Sequence, residues 1–524
     1  LRPHRCACLV CSPTYTFLVL VVACGLMLKP GRSFKRGDII VTDTTLAHAL
    51  SESETANYCA YCVTASDHLL RCSQCSHVYY CNRQCQKAGW AFGHRGECKL
   101  IAKAGKFPSA TLRLLLALIT TGKYKDASIF DSFVSHLNEN LSDPETKSKM
   151  NIAYAGLLIF SQKTLQISRS EFETLFCKVK INSFTMVGEH GTSIGTAFFR
   201  WSSKFDHACK PNAEFLFIGR TMKIMALEDL EDWTKARISY IDTMIPTEER
   251  RKDLQSRYFF RCGCELCEDT QQDLAVRIPA CCGKERLMGP RPAPEYLSDD
   301  TSRLIVFPSR HLRLLPCLKP QACLDPEEVF VCGRCDKVYA APVLEAFQKR
   351  VYEAKEYSDA LELYKACVAA DQNENSNPYF RLFFRHQDSM LMTRLCRTVI
   401  AKCTCWEDQK MDEDADLVLD CGARTIQWLQ AHTNMQYQFI CSVSLAYLIY
   451  LSNSIFLLQE RLGPQGRPPC RIYNLPRLNR FTEAFLSAAP ALVPCIRSYA
   501  LHVPSVADDL AHLREFAQNL NLSL

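Results

Sequence analysis

The chain has 524 residues, of which 48% are hydrophobic and 23% charged, and its formal net charge is +6. This length and balance indicate a soluble, globular protein of two to four domains, and the mild charge does not by itself imply a nucleic-acid ligand. Thirty cysteines would suit a disulfide-rich secreted protein. Many of them follow zinc-ligand spacings instead, which favours a reducing interior, so we predict a cytoplasmic and nuclear protein.

Residues 1–30 form a segment of uncertain character, because residues 14–28 are an apolar run that follows an arginine-containing start. The run is shorter than the roughly 20 residues of a membrane span and has the length of the hydrophobic region of a signal peptide. A secreted protein would conflict with zinc-thiolate sites, so we expect no membrane contact. The chain begins with Leu rather than Met, as a fragment would.

Residues 59–98 hold seven cysteines and one histidine in the pairs C-x2-C, C-x2-C, C-x3-C and H-x3-C, enough ligands for two tetrahedral zinc ions. A segment this short buries little core, so metal must supply much of its folding free energy. The alternating order of cross-braced modules predicts two sets: Cys59, Cys62, Cys81 and Cys85 in one, and Cys72, Cys75, His94 and Cys98 in the other. The alternative is a group of buried or disulfide-bonded cysteines.

A basic surface is predicted on the second half of this module and on the helix that follows it. Its cations face only Glu97 and are Arg71, Arg83, Lys87, Arg95, Lys99, Lys103 and Lys106. Such a surface is suited to DNA, RNA or an acidic protein tail, and a solvated face without a ligand explains it equally well.

Hydrophobic patterning divides the rest of the chain. A turn and a short strand are predicted at residues 31–41, and a helical intermediate region at 99–178, with polar breaks at 120–128 and 138–149. Short strands and turns are predicted for residues 179–261. Residues 277–341 are rich in Pro and Arg and predict a loop or insertion, whereas residues 342–524 are mostly helical and resemble paired-helix repeats of the TPR kind.

A further cysteine group closes the strand-rich region. Cys262, Cys264 and Cys267 form C-x-C-x2-C and need a fourth ligand for a closed zinc site, for which Cys209 is the nearest candidate. Three zinc ions are therefore expected in total. A further C-x2-C pair is Cys332 and Cys335, which with Cys281 or Cys282 would form a fourth metal site. Free thiols are the favoured interpretation of these cysteines.

Several segments carry a family resemblance. The stretches IGTAFFRWSSKFDHACKPNA, RISYID and RYFFRCGCELC resemble the SET core and post-SET zinc site of protein lysine methyltransferases. The eight-ligand module, YCAYC through HRGEC, resembles a MYND finger. The order of these parts is similar to that of the SET and MYND domain (SMYD) family, specifically over residues 31–100 and 180–268 and only architecturally in the C-terminal third.

The resemblance implies an α+β fold. A β-rich SET core, residues 31–58 and 179–261, would be split by the MYND zinc finger at 59–98 and the helical intermediate region at 99–178. The remaining parts would be a post-SET zinc segment (262–276), the loop or insertion (277–341) and an all-α TPR-like C-terminal domain (342–524). We expect a monomer.

The resemblance also implies a reaction, in which a neutral lysine amine attacks the methyl group of S-adenosylmethionine in a narrow channel. By motif match the catalytic phenols are Tyr240 and Tyr258. The implied cofactor-binding residues are His136, Asn182, Asp206, His207, Tyr258 and Phe260. Considered alone, the tyrosines would be core aromatics with satisfied hydroxyls, and His136 a surface histidine on a helix.

The sequence departs from the family pattern around the cofactor. The usual Asn-His pair is Asp206–His207 here, and a carboxylate only accepts hydrogen bonds and repels the cofactor carboxylate. The glycine-rich turn near residue 31 is absent, and the usual Gly-Glu-Glu before ISYID is Trp233, Thr234 and Lys235. We therefore expect weakened S-adenosylmethionine binding, with Asp206→Asn improving it.

Three functions are compatible with these observations. The first is an active protein-lysine N-methyltransferase acting on histone or non-histone lysines. The second is a catalytically impaired SET and MYND scaffold that recruits protein partners through the zinc finger, whose family relatives bind proline-rich peptides. The third, a weak contact with DNA, depends on local charge alone.

Overall fold

The computed structural model describes most of the chain between residues 31 and 269 and the regular elements beyond. The described residues are 31–104, 107–161, 165–188, 193–243, 245–269, the later strands and helices given below, and residues 354, 444, 447–452, 454, 455 and 501. The apolar run at 14–28 lies outside them, so its prediction stays untested. Within the described part of the chain, no helix has both the length and the apolar character needed to cross a membrane.

The chain divides into two compact units. Residues up to Tyr240 together with Leu254–Phe260 form the first, and Ile241–Asp253 with the residues from Arg261 onward form the second. The strands of the first unit are β1 (Ile39–Thr44), β2 (Ala47–Leu50), β3 (Leu70–Arg71), β4 (Tyr79–Tyr80), β5 (Ser183–Val187), β6 (Ser193–Phe198), β7 (Asp206–His207), β8 (Ala213–Ile218), β9 (Thr221–Ala226) and β10 (Arg237–Ile238).

Two three-stranded antiparallel sheets, in the orders β1-β9-β8 and β2-β6-β5, form the main strand structure of the first unit. Strands β8 and β9 form a hairpin with a two-residue loop, in which Gly219 has a φ of +56° that suits glycine. Buried Asp43 on β1 accepts hydrogen bonds from the backbone N–H groups of Trp201 and Ser202, at 2.6 and 2.8 Å. This carboxylate fixes the segment that leads into β7.

Helices fill the part of the chain between β4 and β5 and follow β10. They are α1 (Arg83–Gly89), α2 (Arg95–Ala104), α3 (Ala110–Thr120), α4 (Ala127–Phe130), α5 (Leu137–Ser142), α6 (Pro144–Phe160), α7 (Arg169–Asn182), α8 (Thr247–Tyr258) and α9 (Glu265–Glu268). Helix α3 lies at the centre of the core, because Leu114, Leu115 and Leu118 are fully buried in one cluster with Ala47 of β2 and Phe198 of β6.

Two boundaries differ from the sequence prediction. Residues 138–149, predicted as a polar break, lie mostly in α5 and α6. Asp143 caps α6 by accepting a hydrogen bond from the Thr146 N–H at 2.9 Å, and Pro144 occupies a first-turn position, where its missing N–H costs nothing. The strand region predicted from residue 179 begins at Ser183, because α7 continues to Asn182.

The second unit contains helices and short strands beyond residue 269. The strands are β11 (Ala280–Cys282), β12 (Glu285–Arg286), β13 (Arg291–Pro292), β14 (Leu304–Ile305), β15 (Glu328–Val331) and β16 (Val338–Ala340). The helices are α10 (Ala341–Glu353), α11 (Tyr357–Gln372), α12 (Met390–Cys403), α13 (Met411–Ala431), α14 (Arg471–Ala500) and α15 (Pro504–Asn519). The description of residues 277–341 as loop was therefore incomplete, since strands of two to four residues are too short to produce an alternating pattern.

Gly195 on β6 is required by the close approach of β2. A Cβ atom there would lie 2.3 Å from the carbonyl oxygen of Ala49, so we expect Gly195→Ala to lower the free energy of unfolding by about 1–3 kcal/mol. Gly156→Ala on α6 is the matched control, because its Cβ would lie 3.6 Å from Leu112. Alanine favours a helix, so this change should stabilise by about 0.5–1 kcal/mol. Denaturant unfolding that gives both variants the same sign would contradict this packing.

Candidate functional site

Three groups of four metal-ligating side chains occur in the described residues, and within each group the ligand atoms lie within 4.8 Å of one another. The groups are Cys59, Cys62, Cys81 and Cys85; Cys72, Cys75, His94 and Cys98; and Cys209, Cys262, Cys264 and Cys267. This grouping matches the one that the spacing predicts. Cysteines 281, 282, 332 and 335 lie outside the residues whose side chains the structure describes.

Distances between ligand atoms fit zinc. Sulfur ligands at about 2.3 Å from a tetrahedral zinc ion are about 3.8 Å apart. The Sγ atoms of Cys62 and Cys81 are 3.5 Å apart, and those of Cys72 and Cys98 are 3.7 Å apart. His94 Nε2 lies 3.6 Å from Cys75 Sγ. Four soft or borderline ligands at these distances form closed structural zinc sites, with no position left for a substrate.

A buried ion pair orients the histidine ligand. His94 directs Nδ1 toward Glu97 Oε1 at 3.0 Å, and Arg113 on α3 donates from Nε to the other Glu97 oxygen at 2.8 Å. Arg113 also donates to the Leu50 carbonyl on β2 at 3.1 Å. Burial alone would raise the pKa of Glu97, but the adjacent guanidinium lowers it to about 2, so this carboxylate is ionised and holds the imidazole in place.

The cations of the predicted basic surface are exposed where the structure describes them. Its described members Arg71, Arg83, Lys87, Arg95, Lys99 and Lys103 are all exposed, whereas Lys106 lies outside the described residues. Glu97 is buried against Arg113 and does not face these cations, which corrects the prediction. Glu97 is therefore not available to offset these exposed cations.

The zinc-binding segment packs on the strand structure through aromatic rings and cations. Arg220, in the β8–β9 loop, lies over the rings of Tyr61 and Phe92 at 4.6 and 4.4 Å from their centroids. Lys123 lies 4.2 Å from the Phe92 centroid and donates to the Leu46 carbonyl. These cation–π contacts hold residues 59–98 against the first unit, so the module is not an independent finger.

Both predicted tyrosines lie in one aromatic cluster. The ring centroids of Tyr240 and Tyr258 are 4.9 Å apart, and His207 lies 5.3 Å from Tyr240 and 6.0 Å from Phe260. The Tyr240 hydroxyl donates to the Phe205 carbonyl. Burial raises the pKa of Tyr240, and the negative charge of Asp206 raises it further, so the phenol is protonated at neutral pH.

His207 joins the aromatic cluster to the third cysteine group. Its Nδ1 atom accepts a hydrogen bond from the Tyr240 backbone N–H at 3.1 Å, and its Nε2 atom lies 3.2 Å from Cys209 Sγ. The imidazole therefore fixes the backbone at Tyr240.

Asp206 is exposed, whereas the next residue, His207, is only partly exposed. Its side chain is 76% exposed and faces Arg237, whose Nη2 lies 3.7 Å from Oδ2. Strands β7 and β10 pair in parallel with Asp206 opposite Arg237, so the register brings these two charges together.

His136 and Asn182 are placed differently. His136 has a left-handed backbone with a φ of +41°, and its ring lies 5.5 Å from that of Phe259, which has a φ of +62°. Non-glycine residues rarely adopt a positive φ, so the backbone is strained at both residues and the surrounding structure must hold it there. The Asn182 amide is buried and its nitrogen donates to the carbonyls of Val134 and Lys178 at 2.9 and 2.8 Å. Its role at the cofactor stays a prediction.

The aromatic rings and the carbonyl oxygen of this cluster fit S-adenosylmethionine. A sulfonium is a cation without hydrogen-bond donors, and aromatic faces and carbonyl oxygens are the groups that attract it. The two phenol rings and the Phe205 carbonyl supply both, with His207 beside them. Asp206 is offset by Arg237, so the pair adds no net charge to this place.

Comparisons with known proteins agree with this picture. The family model of the MYND finger matches residues 59–98. N-lysine methyltransferase SMYD2-B of Xenopus laevis is 31% identical over 283 residues, which are 52% of this chain and 64% of that protein. Human N-lysine methyltransferase SMYD2 is 30% identical over 261 residues, 48% of this chain and 60% of that protein. The chain contains a MYND finger and is similar to SMYD proteins over about half of its length.

The match to these SMYD proteins is partial. The chain spans less than two thirds of the length of the curated relatives it matches. The sequence predicted no role for two side chains that the structure places next to motif residues, Arg113 and Arg237, and it predicted Glu97 on the basic surface rather than against His94. Arg237 lies within the motif RISYID, and this position was the available signal for its role. Arg113 had no such signal, because its partner Glu97 lies 16 residues away in the sequence.

Proposed function

We propose that the protein is an S-adenosylmethionine-dependent protein-lysine N-methyltransferase that acts on histone or non-histone lysines. The observation that supports this most is the Tyr240–Tyr258 ring pair, with the Tyr240 hydroxyl bonded to the Phe205 carbonyl. The relatives of 30–31% identity are N-lysine methyltransferases by name. In this proposal the two three-stranded sheets and the β7–β10 pair form the SET core, and the helices from residue 341 form a TPR-like domain.

The residues of the cluster have separate roles in this reaction. When bound, S-adenosylmethionine supplies an activated methyl group on sulfur. Tyr240 and Tyr258 line the channel through which the lysine amine enters. Their rings exclude water, and this favours the uncharged form of the amine. Because the Tyr240 phenol is protonated and donates to Phe205, its oxygen lone pairs remain to orient the amine N–H groups. His207 and Phe260 line the adjoining side, and His136 closes it near Phe259.

Three zinc ions would stabilise this arrangement from outside the reacting centre. The MYND sets hold residues 59–98 in shape, and Cys209 adjoins His207 in the third set. We also propose that the protein is a cytoplasmic and nuclear monomer whose zinc finger contacts proline-rich peptides.

A scaffold function is the second candidate, and one observation favours it. Asp206 replaces the amide of the family's Asn-His pair and is largely exposed, whereas all twelve zinc ligands are present and grouped. In this alternative the exposed basic surface and the MYND finger recruit protein partners, with weak DNA contact as a lesser use of the same cations.

Calorimetry with S-adenosylmethionine tests the proposal. We expect one saturable site per chain, and we expect Asp206→Asn to raise the affinity by less than about tenfold, because an exposed ion pair contributes little. Asp131→Asn, another exposed aspartate, is the matched control and should leave the affinity unchanged. Absence of binding heat in the wild type, with no gain in Asp206→Asn, would reject the enzyme and favour the scaffold.

A further inference from the structure

We propose that Arg237 is a cofactor-positioning residue: its guanidinium receives the carboxylate at the amino-acid end of S-adenosylmethionine and offsets the charge of Asp206. This inference rests on the proposed function. It names a residue that the family's Asn-His motif does not contain, and it explains how an aspartate is tolerated at that motif.

The strand register places Arg237 beside the altered motif position. Asp206 and Arg237 are direct partners in the parallel β7–β10 pair, and His207 is opposite Ile238. A substitution at either position of a directly opposed pair changes the charge that the other side chain faces. The Asp206 carboxylate therefore has a cation beside it that a neutral amide would not need.

The guanidinium is held by its own loop. Arg237 Nη1 donates to the carbonyls of Thr234 and Ala236 at 2.7 and 2.9 Å, and the Arg237 backbone N–H donates to Asn212 Oδ1 at 2.6 Å. These bonds fix the plane of the side chain. An arginine held in one orientation loses less conformational entropy when it binds an anion.

One edge of the guanidinium remains available. Within the described part of the chain, the contact recorded for Nη2 is the ion pair with Asp206 at 3.7 Å, which is longer than a hydrogen bond. The Arg237 side chain is 36% exposed, so a ligand can reach it. Guanidinium and carboxylate groups pair through two parallel N–H···O bonds, which is the strongest charge-assisted geometry.

The pair lies within electrostatic range of the reacting centre. The charge of Asp206 raises the pKa of the Tyr240 phenol and that of Arg237 lowers it, so both act on the same hydroxyl. The Tyr240 backbone is in turn bonded to His207, the residue after Asp206. An amino-acid group held at Asp206 and Arg237 would therefore lie beside the aromatic cluster.

The chemistry of the ligand matches the pair. The amino-acid end of S-adenosylmethionine carries an ammonium and a carboxylate on one carbon. The ammonium faces Asp206 and the carboxylate faces Arg237, so the arginine offsets most of the repulsion between Asp206 and the carboxylate, and a small net cost of Asp206 remains. Without Arg237, Asp206 would repel the carboxylate.

Calorimetry of two ligands tests this inference. S-adenosylhomocysteine retains the amino-acid group, and 5′-methylthioadenosine lacks it. We expect Arg237→Gln to weaken S-adenosylhomocysteine binding about tenfold to a hundredfold, since a lost charged hydrogen bond has an effect of this size, and to leave methylthioadenosine binding unchanged. Lys235→Gln removes a charge from the same loop at an exposed position and should change neither affinity.

A double-mutant comparison sharpens the test. Asp206→Asn should improve S-adenosylhomocysteine binding more in the Arg237→Gln background than in the wild type, because only there is the carboxylate uncompensated. Equal effects of Arg237→Gln and Lys235→Gln would overturn the inference, and so would equal losses for both ligands, which would mean that Arg237 only supports the loop. A wild type that binds neither ligand would instead reject the proposed function.

Discussion

Replacing Tyr240 by Phe is expected to lower the rate of methyl transfer by about a hundredfold or more, because a misplaced reacting group has an effect of this size. The change removes a hydroxyl that donates to the Phe205 carbonyl, on a ring whose centroid lies 4.9 Å from that of Tyr258. The ring remains, so packing and cofactor affinity should change little. Single-turnover transfer of labelled methyl to a lysine-rich protein, with calorimetry of the cofactor, separates the two quantities.

Tyr124→Phe is the matched control for this experiment. The Tyr124 hydroxyl is buried and has no hydrogen-bond partner among the described residues, so its loss should leave the rate unchanged. A Tyr240→Phe protein that transfers methyl at the wild-type rate would show that this tyrosine is misassigned. A parallel loss of cofactor binding would place Tyr240 in the binding site alone.

Removing the zinc ligands is expected to have the largest effect on folding. Structural zinc supplies about 10–16 kcal/mol of binding free energy in small modules, which is as large as the whole free energy of unfolding of a typical domain. Cys72→Ser should therefore release the ion of its own set, reduce the zinc content from three ions to two, and expose the segment around Cys72–Cys98 to proteolysis, as measured by elemental analysis and limited digestion.

Cys177→Ser is the control for the cysteine substitution. Cys177 is fully buried in the core cluster around α3 and belongs to none of the three ligand groups, so zinc content should stay at three per chain. A Cys72→Ser protein that retains three zinc ions, or a wild type with one ion or fewer, would contradict the assignment of the ligand sets.

The zinc ligands were predictable because their chemistry is local. A thiolate pair spaced by two or three residues is already close enough to chelate, so the spacing around Cys72 and Cys75 specifies the site before any fold is known. Cys209 is more than fifty residues from Cys262, so spacing does not specify it, and it was predicted only as the nearest candidate for the missing fourth ligand. The need for four ligands suggested that pairing, and the structure places these sulfur atoms together.

The supporting contacts were not predictable, because strand register and helix packing create them. Arg237 lies opposite Asp206 in the parallel pairing of β7 and β10. No hydrophobic periodicity in these two short strands predicts that register. No pattern in the sequence distinguishes Arg113 from a surface charge, because helix packing alone buries it against Glu97. The predicted polar break at residues 138–149 was wrong for a different reason. Asp143 and Pro144 have the composition of a loop, but here they are the cap and the first residue of a helix.

Mass spectrometry of a lysine-rich histone or peptide pool, incubated with the purified chain and S-adenosylmethionine, tests the central proposal most directly. We predict the mass increase of one or more methyl groups on lysine, with none formed by Tyr240→Phe. Cofactor-saturated, zinc-loaded protein that leaves every lysine unmodified would contradict the proposed methyltransferase.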